Sequence, residues 1–594
     1  GEPAAAYVVV EKILSGDETL PEDWPVAGTT GYDFLNLVAG LFVDHKGLAE
    51  LERTYARFTG VDRSLEALVH EKKRAAVEQL FAGDLSALEK ELVRLAKYDR
   101  HARDLPARQI GRVLLEVTAA LPVYRTYTRS FEVAPRDRGT IERALESAAA
   151  HSSGLSRGAL DFMRRVLLLE LPARASRARR EATLGFVMRW QQLTGPAMAK
   201  GLEDTAFYIH NPLVSLNEVG GGPQTGAVSV AAFHRRNRRI QARWPGTLNA
   251  TSTHDTKRSE DVRARIHVLS ELPAVWGRAL RRWHRWNGPA RPRVGRMRVP
   301  TPGEEVLVYQ TLLGAWPLGG DATGSELLER LDAYFLKAIR EAKEFTDWIE
   351  PDEAHEAALR TFVHTILDGR EGNRFLPDFL RFQRQVAFYG AVNSLSQTLL
   401  KLCAPGVPDL YQGTELWDLS LVDPDNRRPV DFRVRARLLE GLPGVGGEDR
   451  AERRRMLDSW EDGCIKLFLT RTALWFRREH AALFQEGRYL PLRTTGRRRD
   501  HVVAFARWLG ADWALVAAPR LATGLCQPGV WPTAPRLWGS TAVVLPADAP
   551  TRWCDVFTGR EVRAQGAARG RTLRVSALFA ELPFALLAAR TKAG

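Results

Sequence analysis

Tyr7-Val8-Val9-Val10-Glu11-Lys12-Ile13-Leu14 is the first legible stretch of the chain, and the fold is read outward from it. Its run of β-prone residues has no polar alternation, which predicts a strand buried on both faces, as in a parallel sheet. Glu11 stands where such a strand leaves its sheet. In a (β/α)8 barrel the reacting groups sit at the carboxyl ends of the strands, so Glu11 is a candidate functional carboxylate.

Two further stretches have the same strand-then-polar form. Thr247-Leu248-Asn249-Ala250-Thr251-Ser252-Thr253 runs into His254-Asp255-Thr256-Lys257-Arg258, and Ala404-Pro405-Gly406-Val407-Pro408-Asp409-Leu410 runs into Tyr411-Gln412-Gly413-Thr414-Glu415. Between Glu11 and these comes Ala27-Gly28-Thr29-Thr30-Gly31-Tyr32-Asp33, which suits a tight strand-to-helix turn. A carboxylic acid on one strand and a carboxylate on another, facing one cleft, fits glycosidic-bond chemistry. One group protonates the leaving oxygen while others meet the positive charge that develops at the anomeric carbon.

Residues 45 to about 200 read as mostly helical. Ser86 and Glu89 have the spacing of a capping box, which predicts a helix over 86–98, with Leu85, Leu88, Leu92 and Leu95 on one face. A partner helix precedes it and breaks near Gly83. Helices are also expected at 111–121, 161–171, 386–402 and 465–479. From about 487 the style changes to short apolar runs with frequent Pro and Gly, at 502–507, 514–518 and 541–546, which predict an all-β end.

At 594 residues the chain can bury large cores, and 45% hydrophobic with 26% charged residues is ordinary for a globular protein. No apolar run is long enough for a transmembrane helix, and no signal-peptide pattern opens the chain. Four scattered cysteines without a CxxC pair suggest reduced thiols in a cytoplasmic protein and give no metal signature. The net charge of +14 invites a nucleic-acid reading. Its arginine clusters, at 174–180, 234–239 and 497–499, come without a nucleic-acid-binding motif and read as solvated faces.

The order of Val-Val-Val-Glu, Ser-Thr-His-Asp and Pro-Gly-Val-Pro-Asp-Leu-Tyr-Gln-Gly-Thr-Glu resembles strands five, seven and eight of the α-amylase superfamily. Within it, residues 11–14, 28–36, 203–208, 215–221, 249–261 and 421–431 resemble the maltooligosyltrehalose synthase family, from Tyr7 to about residue 480 and on into the terminal domain. The resemblance implies an α/β fold: the second half of a (β/α)8 TIM barrel, with a large helical insertion and a C-terminal all-β domain. The expected divisions are 1–44 (strands five and six), 45–200 (the insertion), 201–486 (strands seven and eight) and 487–594.

It also implies intramolecular transglycosylation, turning the reducing-end α-1,4 link of a maltooligosaccharide into an α,α-1,1 link. Glu11 then matches the general acid/base, Asp255 the stabiliser of the transition state and His254 a hydrogen-bond partner of the sugar. Tyr32, Lys257, Arg258, Tyr411 and Gln412 lie beside the motifs as candidate ligands of sugar hydroxyls. No cofactor or metal is expected. The partners implied are an α-1,4-glucan and, along the pathway, a maltooligosyltrehalose trehalohydrolase, with no nucleic acid or membrane.

One departure matters. The family's nucleophilic Asp lies in a Gly-x-Arg-x-Asp-His context on the strand before Glu11, and the chain holds no such motif. Asp44-His45 follows Glu11 and has the wrong order. The chain is therefore expected to be the later three-quarters of a longer enzyme, unable to catalyse alone, with the earlier segment missing or carried as a separate chain. The alternatives are a hydrolase or 4-α-glucanotransferase of the same superfamily, an incomplete glucan-binding protein, or a polyanion binder.

Overall fold

The computed structural model describes residues 6–222, 226–319, 325–444, 449–567 and 570–590. Four short strands organise it: β1 (Val9–Val10), β2 (Gly28–Thr29), β3 (Leu248–Asn249) and β4 (Val407–Pro408). β1 and β2 pair in parallel, Val9 opposite Gly28, and so do β3 and β4, Leu248 opposite Val407. The two pairs meet where the Thr29 amide donates to Thr247 Oγ1 at 2.9 Å. The approach is so close that a Cβ on Gly28 would lie 2.4 Å from that of Thr247, which is why a glycine stands there.

β1 departs from the expectation of a strand buried on both faces. Val8 is 44% exposed, Tyr7 59%, and Val9 and Val10 are half-buried. The cause is position: among the described residues β1 pairs with β2 alone, so its other edge is open.

A helical block follows, with helices Leu65–Leu80, Ala82–Ala96, Ala107–Ala120, Pro135–His151, Arg157–Leu167 and Arg177–Met198. It has a core of its own around Leu92, Leu114, Ile141, Phe162, Phe186 and Trp190. That core begins at Val77; the helix His45–Thr59 instead packs Leu48, Leu51 and Tyr55 into the main core. Asp44 caps this helix by accepting from the Gly47 amide at 2.7 Å, a structural role. Ser86 is not a cap: its helix starts upstream at Ala82, and the break expected near Gly83 falls at Phe81. The block ends in a helix that holds Pro196 in its last turn and widens into a π-helix over Ala199–Ala206.

The main core is threaded by the helix Phe375–Cys403, whose 29 residues span about 44 Å and are buried almost throughout their second half. The terminal region forms a six-stranded sheet in the order 561–563, 552–555, 585–590, 512–519, 502–509, 488–491, beside a three-stranded one. It shares the main core rather than enclosing another. Phe388 packs on Trp531 with ring centroids 5.0 Å apart, and the Tyr389 hydroxyl donates to the Cys526 carbonyl at 2.6 Å. All four thiols are unpaired, and no described helix is long and apolar enough to cross a membrane.

Candidate functional site

Glu11 leaves β1, Tyr32 opens the helix after β2, His254 and Asp255 follow β3, and Tyr411 and Gln412 follow β4. All of these lie at the carboxyl ends of the strands. Glu11, His254 and Asp255 converge, each offering a carboxylate oxygen or ring nitrogen within 4.8 Å of the others, and all three are exposed. His254 Nε2 lies 3.4 Å from Asp255 Oδ2. Tyr32 closes one side: its hydroxyl sits 3.1 Å from Thr253 Oγ1, and burial, with Asp255, Glu11 and Glu218 adding to it, holds the phenol well above its ordinary value. The phenol therefore stays protonated beside the acidic groups of the site. The same three side chains each offer one ligand atom that could hold a cation.

The loop between β3 and its helix is pinned along its length. Thr253 Oγ1 accepts from the Asp255 amide at 3.1 Å, and Asn426 Nδ2 donates to the His254 carbonyl at 2.9 Å. Tyr411 belongs to this support, donating its hydroxyl to the Asn426 carbonyl at 3.1 Å.

Several expected sugar ligands face elsewhere. Arg258 turns inward and is buried, donating to the Val214 carbonyl at 3.0 Å and to the Tyr334 hydroxyl at 2.7 Å. Lys257 is 7% exposed, with Nζ 2.8 Å from Asp204 Oδ1 and over the Tyr208 ring. Burial disfavours its charge, but Tyr208, Asp204 and Glu203 outweigh that and hold the ammonium firmly protonated. Tyr208 is itself buried beneath Lys257. Glu415 accepts from the Gly413 amide and from Arg435, closing a turn. Gln412 remains exposed at the rim.

Three acidic residues around this loop were not read as site residues from sequence. Glu203 and Asp204 lie on the π-helix, and Glu218 on the segment Ser215–Gly221. Burial pushes the Glu203 carboxyl up to about 7, although Lys257 and hydrogen bonds from Tyr124 and the Gly220 amide oppose it. Isolated acids in a helix or a loop do not say in the sequence what they face.

No family model matches the sequence. A protein of Mycobacterium tuberculosis, provisionally named maltooligosyl trehalose synthase, is 34% identical over 587 residues, 98% of this chain and 65% of that protein. The structure of maltooligosyltrehalose synthase from Arthrobacter ramosus superposes with a TM-score of 0.78 at 36% identity, covering 98% of this chain and 66% of that one. A structure titled DSM5389 glycosyltrehalose synthase gives a TM-score of 0.70 at 30% identity, covering 98% and 64%. The chain therefore spans 65% of the length of the curated relatives it matches.

Proposed function

We propose that this chain, a homologue of maltooligosyltrehalose synthases along 98% of its length, supplies the acid/base half of a retaining intramolecular glucosyltransfer site. The substrate is a maltooligosaccharide, and the product carries a trehalose unit at its former reducing end. β1 to β4 are one arc of a (β/α)8 barrel, and closing it needs strands besides these four.

The observation that carries the reading is the convergence of Glu11, His254 and Asp255 within 4.8 Å at the tips of non-adjacent strands. Glu11 protonates the departing reducing-end glucose, and Asp255 stabilises the charge at the anomeric carbon. His254 donates to the sugar. The glucose that leaves must stay, turn over and present its own anomeric hydroxyl, with Glu11 now acting as base; two inversions give net retention. The nucleophilic carboxylate, which this chemistry needs about 5 Å from the acid, comes from the Gly-x-Arg-x-Asp-His strand that these residues do not contain. Water must be kept from the intermediate. The helical block is suited to that task, since Tyr127 packs edge-on to Trp24 at 4.8 Å, in the loop that follows Glu11. The protein works in the cytoplasm, and its product is the substrate of a maltooligosyltrehalose trehalohydrolase.

Incubation with maltopentaose tests this. The chain alone binds the sugar without turning it over. Adding a polypeptide that bears the nucleophile strand makes reducing sugar fall as trehalose-ended product appears. Rising reducing sugar would mean a hydrolase, and a spread of chain lengths a 4-α-glucanotransferase.

A further inference from the structure

We propose that Glu218 is the positioning residue that sets the loop carrying His254 and Asp255. Glu218 is 1% exposed, and its carboxylate is met by hydrogen-bond donors. It accepts from the Lys257 amide at 2.7 Å, the Arg258 amide at 3.3 Å, the Val219 amide at 3.0 Å and Arg263 Nη1 at 3.3 Å. Arg263, 2% exposed, also donates to the carbonyls of Thr251 and Arg258. The ion pair thus holds the loop 251–258 at both ends: the carboxylate accepts from the amides of Lys257 and Arg258, and its guanidinium partner donates to the carbonyls of Thr251 and Arg258.

An acceptor-only group is required here. A glutamine would turn an NH2 toward a donor and leave a buried charge on Arg263 without its partner. Buried ion pairs are costly to build, and this one sits at the neck of a site loop.

The segment that bears Glu218 is itself fixed from two directions. Asn36 Nδ2, on the helix that follows β2, donates to the Val219 carbonyl at 2.9 Å. The Gly220 amide donates to Glu203 at 2.9 Å, and Glu203 also accepts from Tyr124 of the helical block. Glu218 therefore transmits the placement of β2 and of the helical block to the loop after β3. It touches backbone and Arg263 rather than any group that would meet sugar. What the loop grips rests on the glucan reading; the clamp does not.

The test compares Glu218→Gln, Glu218→Asp and Asp255→Asn in this chain by hydrogen exchange, thermal melting and calorimetric titration with maltopentaose. Glu218→Asp keeps an anion for Arg263 but withdraws its oxygens by about 1.5 Å, so it serves if Glu218→Gln does not fold. In either variant the amides of Lys257 and Arg258 exchange at least about tenfold faster, more than amides elsewhere, and the melting temperature falls further in Glu218→Gln than in Glu218→Asp, which keeps an anion for Arg263. Maltopentaose affinity falls about tenfold, as it does in Asp255→Asn. Unchanged exchange at 257 and 258, or faster exchange with wild-type affinity while Asp255→Asn loses binding, overturns the assignment. Failure of the unaltered chain to bind maltopentaose overturns the glucan reading instead, and exchange alone then decides the clamp.

Discussion

Lys257 Nζ and Asp204 Oδ1 lie 2.8 Å apart and join the loop that carries Asp255 to the π-helical turn at the end of the helical block. Asp204 has a second cation in Lys200, at 2.8 Å, whereas the ammonium of Lys257 has one close carboxylate oxygen and an aromatic face. The two ends of the bridge are therefore unequal. Asp204→Asn leaves a buried ammonium exposed to its desolvation cost and destabilises by about 3 kcal/mol, while Lys257→Met costs about 1 kcal/mol. Urea unfolding of both variants checks the asymmetry; equal losses would mean that Glu203 holds Lys257 as firmly as Asp204 does.

Glu271 links the body to the terminal sheet, accepting from the amide and hydroxyl of Thr523 at 3.0 and 2.9 Å. Burial pushes its carboxyl from 4.5 up to about 7, against the pull of those bonds and of Arg520. A folded-state value above the unfolded one means stability fully present below pH 4.5 and lost as pH rises through about 7. The loss amounts to at most about 3 kcal/mol. Glu271→Gln removes that slope, so the stability difference between variant and wild type must shift in favour of the variant from about pH 5 to pH 8. A difference that stays flat would sink the assignment.

Lys73 is the reverse case. Its ammonium is buried in the helical block with one bond, to the Leu121 carbonyl at 2.6 Å, and burial pushes it down to about 7 from 10.5. The unfolded chain binds the extra proton in that window, so stability rises with pH from about 7 to 10.5 and is lost as pH falls through 7. Lys73→Met loses this rise. Melting of the two proteins at about pH 7 and pH 9.5 should show the wild type gaining on the variant at the higher pH.

Glu11 and Asp255 are exposed, so Glu11→Gln and Asp255→Asn leave the melting temperature within about 1 °C. In the enzyme completed with the nucleophile strand, each lowers maltopentaose turnover by about a hundredfold or more. Turnover unchanged in Glu11→Gln would remove the acid/base role.

Which features could be read from sequence follows from how local their causes are. Glu11, His254 and Asp255 were legible because a strand tip is a local feature, and parallel strands with their tips together bring such residues to one face. Lys257 and Arg258 were misread as sugar ligands because adjacency in a loop fixes no side-chain direction, and both turn inward to partners at residues 204, 214 and 334. Glu218 was silent for a similar reason, since its partners lie about forty residues on. The Ser86–Glu89 pattern was overridden by a helix already begun at Ala82. The helix Phe375–Cys403 starts well before the expected residue 386, with Pro377 in its first turn, where a proline costs no hydrogen bond.

The helix Phe375–Cys403 lends one flank to the body and another to the terminal sheet, where Phe388 meets Trp531 and Tyr389 meets Cys526. The sheet is therefore no detachable module. A protease nick near residue 487 would leave two fragments that still migrate together, and deleting the sheet would strip a greasy flank from the spine of the whole particle, so grafting experiments must move both or neither.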